Sequence, residues 1–235
     1  MKGKTRRFAL LEGVAAGTLF GTASVFIRLV EVNMFSIAIW RLMIASATLA
    51  IIILVFSKRP SARLLRGNIV HFLVLGLLLG THFMLFISAV KHTTIMNASV
   101  LVNTTPIFSM LVSTFLYRVK PSKLALGGII TSFIGAGLIA YGDAGPGGRA
   151  NLVGDLEATL AAVAEGFYLN YGGKRRGQLA PVSTMLFVYL ASAMTVGTTA
   201  FLAQAPIEMA GSIQTLLPLI GLGILPTAVA HTLYF

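Results

Sequence analysis

The chain has no cysteine. Disulfides, a cysteine nucleophile and thiolate metal sites are therefore excluded. Charge is also scarce: Asp, Glu, Lys and Arg make up 11% of the 235 residues, against about 25% in soluble domains. Only 7 residues are acidic, and tryptophan occurs once. So little charge cannot cover a surface that faces water. The sequence also has no G-x-x-x-x-G-K-[ST] phosphate loop, no G-x-S-x-G turn and no H-E-x-x-H pair. Direct use of ATP, a serine elbow and a zincin-type metal pair thus lack their sequence signals. No cofactor and no metal are expected.

What the chain does have is oil. Hydrophobic residues make up 56% of it, and the mean hydropathy is +0.87. About 20 apolar residues in a helix cross the hydrocarbon of a bilayer. Eight segments suit: Phe8–Val30, Ser36–Phe56, Asn68–Val90, Ile95–Tyr117, Leu124–Tyr141, Leu152–Tyr171, Pro181–Ala203 and Leu216–Phe235, spans 1 to 8. They are apolar all round and longer than the roughly 10 residues of a membrane barrel strand. The first run is also too long for the apolar region of a signal peptide. The expected fold is all-α, a polytopic membrane helix bundle, with membrane lipids as its surroundings.

The basic residues orient it. Lys2, Lys4, Arg6, Arg7, Lys58, Arg59, Arg63, Arg66, Arg118, Lys120, Lys123, Lys174, Arg175 and Arg176 all fall on one side of such a bundle, fourteen of the 18. Lys91 and Arg149 lie opposite, beside Glu31, Asp143 and Glu208. Arg28 and Arg41, near outer helix ends, are expected to snorkel to water. The positive-inside rule puts the basic side, with the N-terminus, in the cytoplasm. The protein is then a multi-pass protein of the cytoplasmic membrane. The net charge of +11 is an orientation signal, and no nucleic-acid partner is expected.

A weak internal repeat runs through the chain. At an offset of 145, Phe20-Gly21 falls on Glu165-Gly166, Met34 on Leu179, and Leu75-Gly76-Leu77 on Ile220-Gly221-Leu222. Late in span 8 the offset slips to 149, which matches His82 with His231. The Gly142–Asn151 connection divides residues 1–145, with five spans, from 146–235, with three. An odd number of spans in the first half forces the second to start on the other side. Two inverted repeats are expected, an architecture of secondary transporters that places the substrate near the midplane.

Several polar residues interrupt the apolar runs. Glu165 lies deep in span 6, where a carboxylate costs on the order of 3 kcal/mol on insertion scales and is by default a functional candidate. It is read as a proton carrier or as the partner of a cationic solute; pairing with a neighbouring helix is the plain alternative. Tyr168 shares its face. Asn103, Thr104, Thr105 and Pro106 interrupt span 4. Pro106 has no N–H, so the Val102 carbonyl loses its usual donor. The cluster either serves a solute or bonds back to its own helix at a kink. His82, Thr227 and His231, and on span 1 Phe20 and Ser24, complete the candidates. Trp40 suits an outer aromatic belt. Rows of small residues (Gly13, Gly17 and Gly21; Gly76 and Gly80; Gly127, Thr131 and Gly135; Gly128, Ser132 and Ala136) are spaced for close helix packing.

Four motifs together carry a resemblance: AAGTLFGTASV (Ala15–Val25), IAIWRLMIA (Ile37–Ala45) with Arg41, Pro106 in span 4, and LGGIITSFIGAGLIA (Leu126–Ala140) in span 5. The chain resembles the drug/metabolite transporter superfamily in its EamA-type, ten-span branch. Phe20 stands where that family often has Trp, and Arg118 where it usually has Glu. Ten spans are expected from the resemblance, whereas the sequence reaches Phe235 within span 8, so a partial second repeat lacking spans 9 and 10 is expected. The resemblance places spans 1, 3, 4, 6 and 8 around a central cavity. It thereby gathers Glu165, Asn103, Tyr168, His82, Thr227, His231, Phe20 and Ser24 into one substrate site. It implies a secondary transporter, an exporter of a small polar metabolite such as an amino acid, amine or drug-like solute. The partners expected are that small-molecule solute and, as a candidate, a second copy of the chain in a homodimer. The alternatives are an intramembrane enzyme using a serine with His82 or His231, and a non-transporting scaffold.

Overall fold

Each expected span is helical. In this computed structural model, residues 2–56, 62–142, 148–173 and 180–234 are described. Lys58, Arg59, Asp143, Lys174, Arg175, Arg176, Leu179 and Phe235, all used above, lie outside them. Span 1 is α1 (Lys2–Gly21) and α2 (Ala23–Leu29), span 2 is α3 (Met34–Phe56), and span 3 is α4 (Ala62–His92). Span 4 is α5 (Ile95–Val102) and α6 (Thr105–Tyr117), span 5 is α7 (Lys123–Gly142), and span 6 is α8 (Gly148–Gly173). Span 7 is α9 (Pro181–Leu202). Span 8 comprises α10 (Ile213–Leu222), a π-helical stretch Gly223–Ala230, and α11 (His231–Tyr234). Among the described residues all regular structure is helical, and the chain is a polytopic helix bundle.

Five helical stretches are long and apolar enough to cross a membrane: Met34–Phe56, Leu65–His92, Ile95–Tyr117, Pro181–Leu202 and Ile213–Leu233. Spans 1, 5 and 6 are helical but fall outside that set. Lys2, Lys4, Arg6, Arg7 and Glu12 dilute α1, and Asp155, Glu157 and Glu165 dilute α8. The apolar part of α7 is the shorter Lys123–Ser132. Helix α8 also starts at Gly148, inside the expected connection.

The breaks have local causes. Span 1 breaks at Thr22, whose hydroxyl donates to the Leu19 carbonyl at 2.7 Å. Span 4 breaks ahead of Pro106 and span 8 changes pitch around Pro226, where a missing N–H disrupts the i to i−4 ladder; Pro218 also lacks the N–H, inside α10, which continues past it.

The helices form two compact units. One comprises residues 1–80 and 175–235. In it α3 lies along α9 and against the π-helical stretch, α2 packs on α10, and α1 on the π-helical stretch and α11. Gly76 makes a close approach possible: a Cβ there would stand 2.3 Å from the Ala191 Cβ. The segment after α9 folds back onto the start of α3. Glu208 accepts from the Asn33 N–H at 2.9 Å, and the Trp40 indole donates to the Glu208 carbonyl at 2.8 Å.

The other unit comprises residues 81–174, where α5 and α6 pack on α8. One end is clamped by polar pairs. Ser88 donates to Glu157 and Thr93 to Asp155, each at 2.8 Å, and His92 Nδ1 lies 2.8 Å from Glu157.

Two expectations are corrected. Gly13, Gly17, Gly21, Gly127, Gly128 and Gly135 have no described neighbour within 4 Å of an added Cβ, so these rows do not mediate close packing within the units. Arg41 does not snorkel: it is 2% exposed, because a helix break in span 8 offers it an acceptor.

Candidate functional site

In the 81–174 unit the site grows from Pro106. Without its N–H the Val102 carbonyl has no helical donor. The Thr105 hydroxyl lies 2.8 Å from that carbonyl and 2.9 Å from Glu165 Oε2. Thr104 bonds back to the Leu101 carbonyl, and the Asn103 amide to the Ser99 carbonyl at 2.7 Å. Asn103 is exposed. Of the NTTP cluster, then, Asn103 and Thr104 bond to their own helix, and Thr105 reaches across to α8.

The approach is tight because residue 166 is glycine. A Cβ there would stand 2.9 Å from the Ser109 backbone nitrogen. One turn on, the Asn170 amide donates to the Ser109 carbonyl at 2.8 Å, fixing the same pair of helices. Glu165 is thereby held against α6.

His82 closes the cluster from α4. Its Nδ1 lies 3.0 Å from the Ala161 carbonyl and 3.8 Å from Glu165 Oε2. A carbonyl only accepts, so Nδ1 carries the proton and donates to Ala161. The distance to Glu165 allows ion pairing but is too long for a hydrogen bond. Phe86 stacks on the imidazole, with centroids 6.1 Å apart. The side chains of Glu165 and His82 are 15% and 6% exposed, and Tyr168, also buried, follows Glu165 by three residues. His82, Thr105 and Glu165 come together.

The other unit holds Phe20, Ser24, Thr227 and His231. The rings of Phe20 and His231 meet edge to face, centroids 4.6 Å apart. Thr227 is fully buried and engaged. Its hydroxyl donates to the Leu222 carbonyl at 2.6 Å and accepts from Arg41 Nε and Nη2 at 3.1 and 3.0 Å. Tyr189 donates to the Thr227 carbonyl at 2.5 Å. Leu222 is four residues before Pro226, which has no N–H to offer its carbonyl; the π-helical pitch of Gly223–Ala230 brings the Thr227 N–H to it instead. Ser24 is buried on α2, beyond the Thr22 break from Phe20.

At the sequence offsets of 145 and 149, Phe20 aligns with Glu165 and His82 with His231. Each unit sets its histidine against one of these residues. One pair is aromatic and the other ionisable.

Arg41, Tyr189 and Asn170 were not among the expected site residues, and Thr105 was expected only as part of the Asn103–Pro106 cluster. A threonine beside Pro106 and beside Pro226 was the available signal for the hydroxyl-capped carbonyls. Nothing in the sequence shows which helix lies opposite Arg41.

His82 Nδ1 meets the Ala161 carbonyl, and the His231 ring meets Phe20. At the clamped end, Ser88 and Glu157 lie 3.4 and 2.8 Å from the same nitrogen, His92 Nδ1. A serine relay needs the acid on Nδ1 and the serine on Nε2.

A solved crystal structure of a protein aligns with a TM-score of 0.66 at 20% identity, covering 96% of this chain and 77% of its own. It shows a shared fold. No match is found among curated proteins. The family model of the EamA-like transporter family matches residues 7–141. With more than half of its length matched, and an interrupted helix and an ionisable cluster inside an apolar bundle, the chain belongs to the EamA-like transporter family.

Proposed function

We propose that this protein is a secondary transporter that exports a small polar solute, an amino acid, amine or drug-like molecule, by alternating access. It acts in the cytoplasmic membrane with its N-terminus inside. The two halves, 1–145 and 146–235, rock as inverted repeats around a midplane site. The observation that carries this reading is Glu165. A carboxylate is placed among apolar helices, backed by His82 and beside a helix break at Pro106. Such a group marks a solute or proton path rather than inert packing. Asn103 and Tyr168 of the same unit are further proposed solute contacts, and Phe20, Ser24, Thr227 and His231 are those proposed for the other unit.

Reconstituted into liposomes, the protein should move labelled amino acids or amines, faster with a pH gradient than without one. Glu165→Gln should abolish the response to the gradient. A flux that keeps its full pH response in Glu165→Gln would remove Glu165 from coupling. Absence of flux for every solute would favour the scaffold reading.

A further inference from the structure

One hydroxyl hydrogen stands between two acceptors at the break in span 4. Thr105 Oγ1 is 2.8 Å from the Val102 carbonyl and 2.9 Å from Glu165 Oε2. A hydroxyl donates once and accepts through its lone pairs. A carbonyl never donates, and a carboxylate does not either. Both short contacts are hydrogen bonds at the same time only when Glu165 carries the proton. Then Glu165 donates to Thr105, and Thr105 donates to Val102.

The same arrangement in span 8 shows what a permanent donor does. Pro226 offers no N–H to the Leu222 carbonyl, the π-helical pitch supplies one from Thr227, and the Thr227 hydroxyl donates to the same carbonyl. Arg41, always a donor, fills the acceptor side of that hydroxyl from 3.1 and 3.0 Å. Spans 4 and 8 thus share one feature, a threonine hydroxyl that donates to the carbonyl four residues before a proline. In span 8 the group behind the threonine cannot change. In span 4 it can gain or lose a proton.

We propose that Glu165, Thr105 and the Val102 carbonyl form a proton-operated latch on the break in span 4. With the proton bound, the chain of donors is complete and the break is held. When the proton leaves, the carboxylate accepts, the Thr105 hydroxyl turns to it, and the Val102 carbonyl is left without a donor beside Pro106. The covalent structure is unchanged: one proton departs and one hydroxyl rotates. The break then loosens and exposes an acceptor to a solute. Of the elements around Glu165, α4 contributes a titratable group, His82, whose Nδ1 proton is engaged by Ala161. Helix α6 contributes the Thr105 hydroxyl, and α8 itself contributes Tyr168. The inference rests on the placement of Glu165 in the proposed solute path, yet its test requires no transport.

The test uses the full chain in lipid nanodiscs. The Glu165 carboxyl carbon is titrated by 13C NMR, assigned by its loss in Glu165→Gln. Hydrogen exchange of the 95–117 segment, corrected for the intrinsic effect of pH, is followed over the same range. The segment's protection should fall about fivefold or more as Glu165 loses its proton, the scale of one lost buried hydrogen bond. Thr105→Ser should keep that dependence. Thr105→Val should be flat although Glu165 still titrates. Glu165→Gln, whose amide donates as the acid does, should stay protected throughout. His82→Gln should retain the dependence. A segment indifferent to the titration, a Glu165 that never titrates, a pH response surviving in Thr105→Val, or one lost in His82→Gln would each overturn the latch.

Discussion

Single residues decide where helices in this protein touch, and a glycine matters only where something stands against it. At Gly76 an added Cβ would lie 2.3 Å from the Ala191 Cβ and 2.7 Å from its backbone carbon. Backbone cannot yield as a flexible side chain can. Gly76→Ala should therefore cost about 1–3 kcal/mol, the range for overpacking a filled core. Gly17 has open space in the same place, so Gly17→Ala should stay within about 0.5 kcal/mol. Thermal unfolding in one detergent measures both, and an equal loss in the two would refute the distinction. Spacing alone made the two rows look alike, because a sequence records which residues are small and not which face meets a neighbour. Glu165 was legible for the opposite reason: a carboxylate in a greasy run is costly wherever it points. Its partner Thr105 was seen only as one of a cluster, because the choice among Asn103, Thr104 and Thr105 depends on the rotation of α6.

At the scale of the element, proline sets the problem and threonine solves it. The breaks in spans 4 and 8 were readable from Pro106 and Pro226, since a missing N–H is a property of the residue itself. The break at Thr22 has no such marker. The burial of Arg41 was not readable either, because a long cationic side chain near a helix end reaches water equally well on paper. In span 8 the Thr227 hydroxyl serves the Leu222 carbonyl and two Arg41 donors at once. Thr227→Val keeps the shape and removes all three bonds. Buried groups deprived of a partner cost about 1–3 kcal/mol each, so Thr227→Val should lower stability by roughly 2–4 kcal/mol. Thr227→Ser keeps the hydroxyl and should recover most of that. Chemical unfolding of the purified variants distinguishes the two. A valine variant as stable as the parent would mean that Arg41 holds span 8 by other contacts.

At the scale of the whole molecule, the charges are the basis of the proposed threading. Their asymmetry was plain in the sequence because the positive-inside rule needs only the order of spans and the positions of Lys and Arg. The number of spans was less plain: a criterion of length and apolarity accepts five stretches and passes over the glycine-rich, acidic or basic helices α7, α8 and α1. An inverted repeat makes a sharper demand than the charge rule, because corresponding positions in the two halves must face opposite sides. Phe56 ends α3, and Phe201, its counterpart at the offset of 145, lies at the end of α9. They are 82% and 81% exposed, so replacing either disturbs little packing. Since the chain has no cysteine, a single introduced thiol reports alone. In intact cells a membrane-impermeant maleimide should label Phe201→Cys. It should reach Phe56→Cys only after the membrane is permeabilised. Labelling of both from one side would mean that the halves run parallel, and alternating access by exchange of two mirrored halves would lose its structural basis.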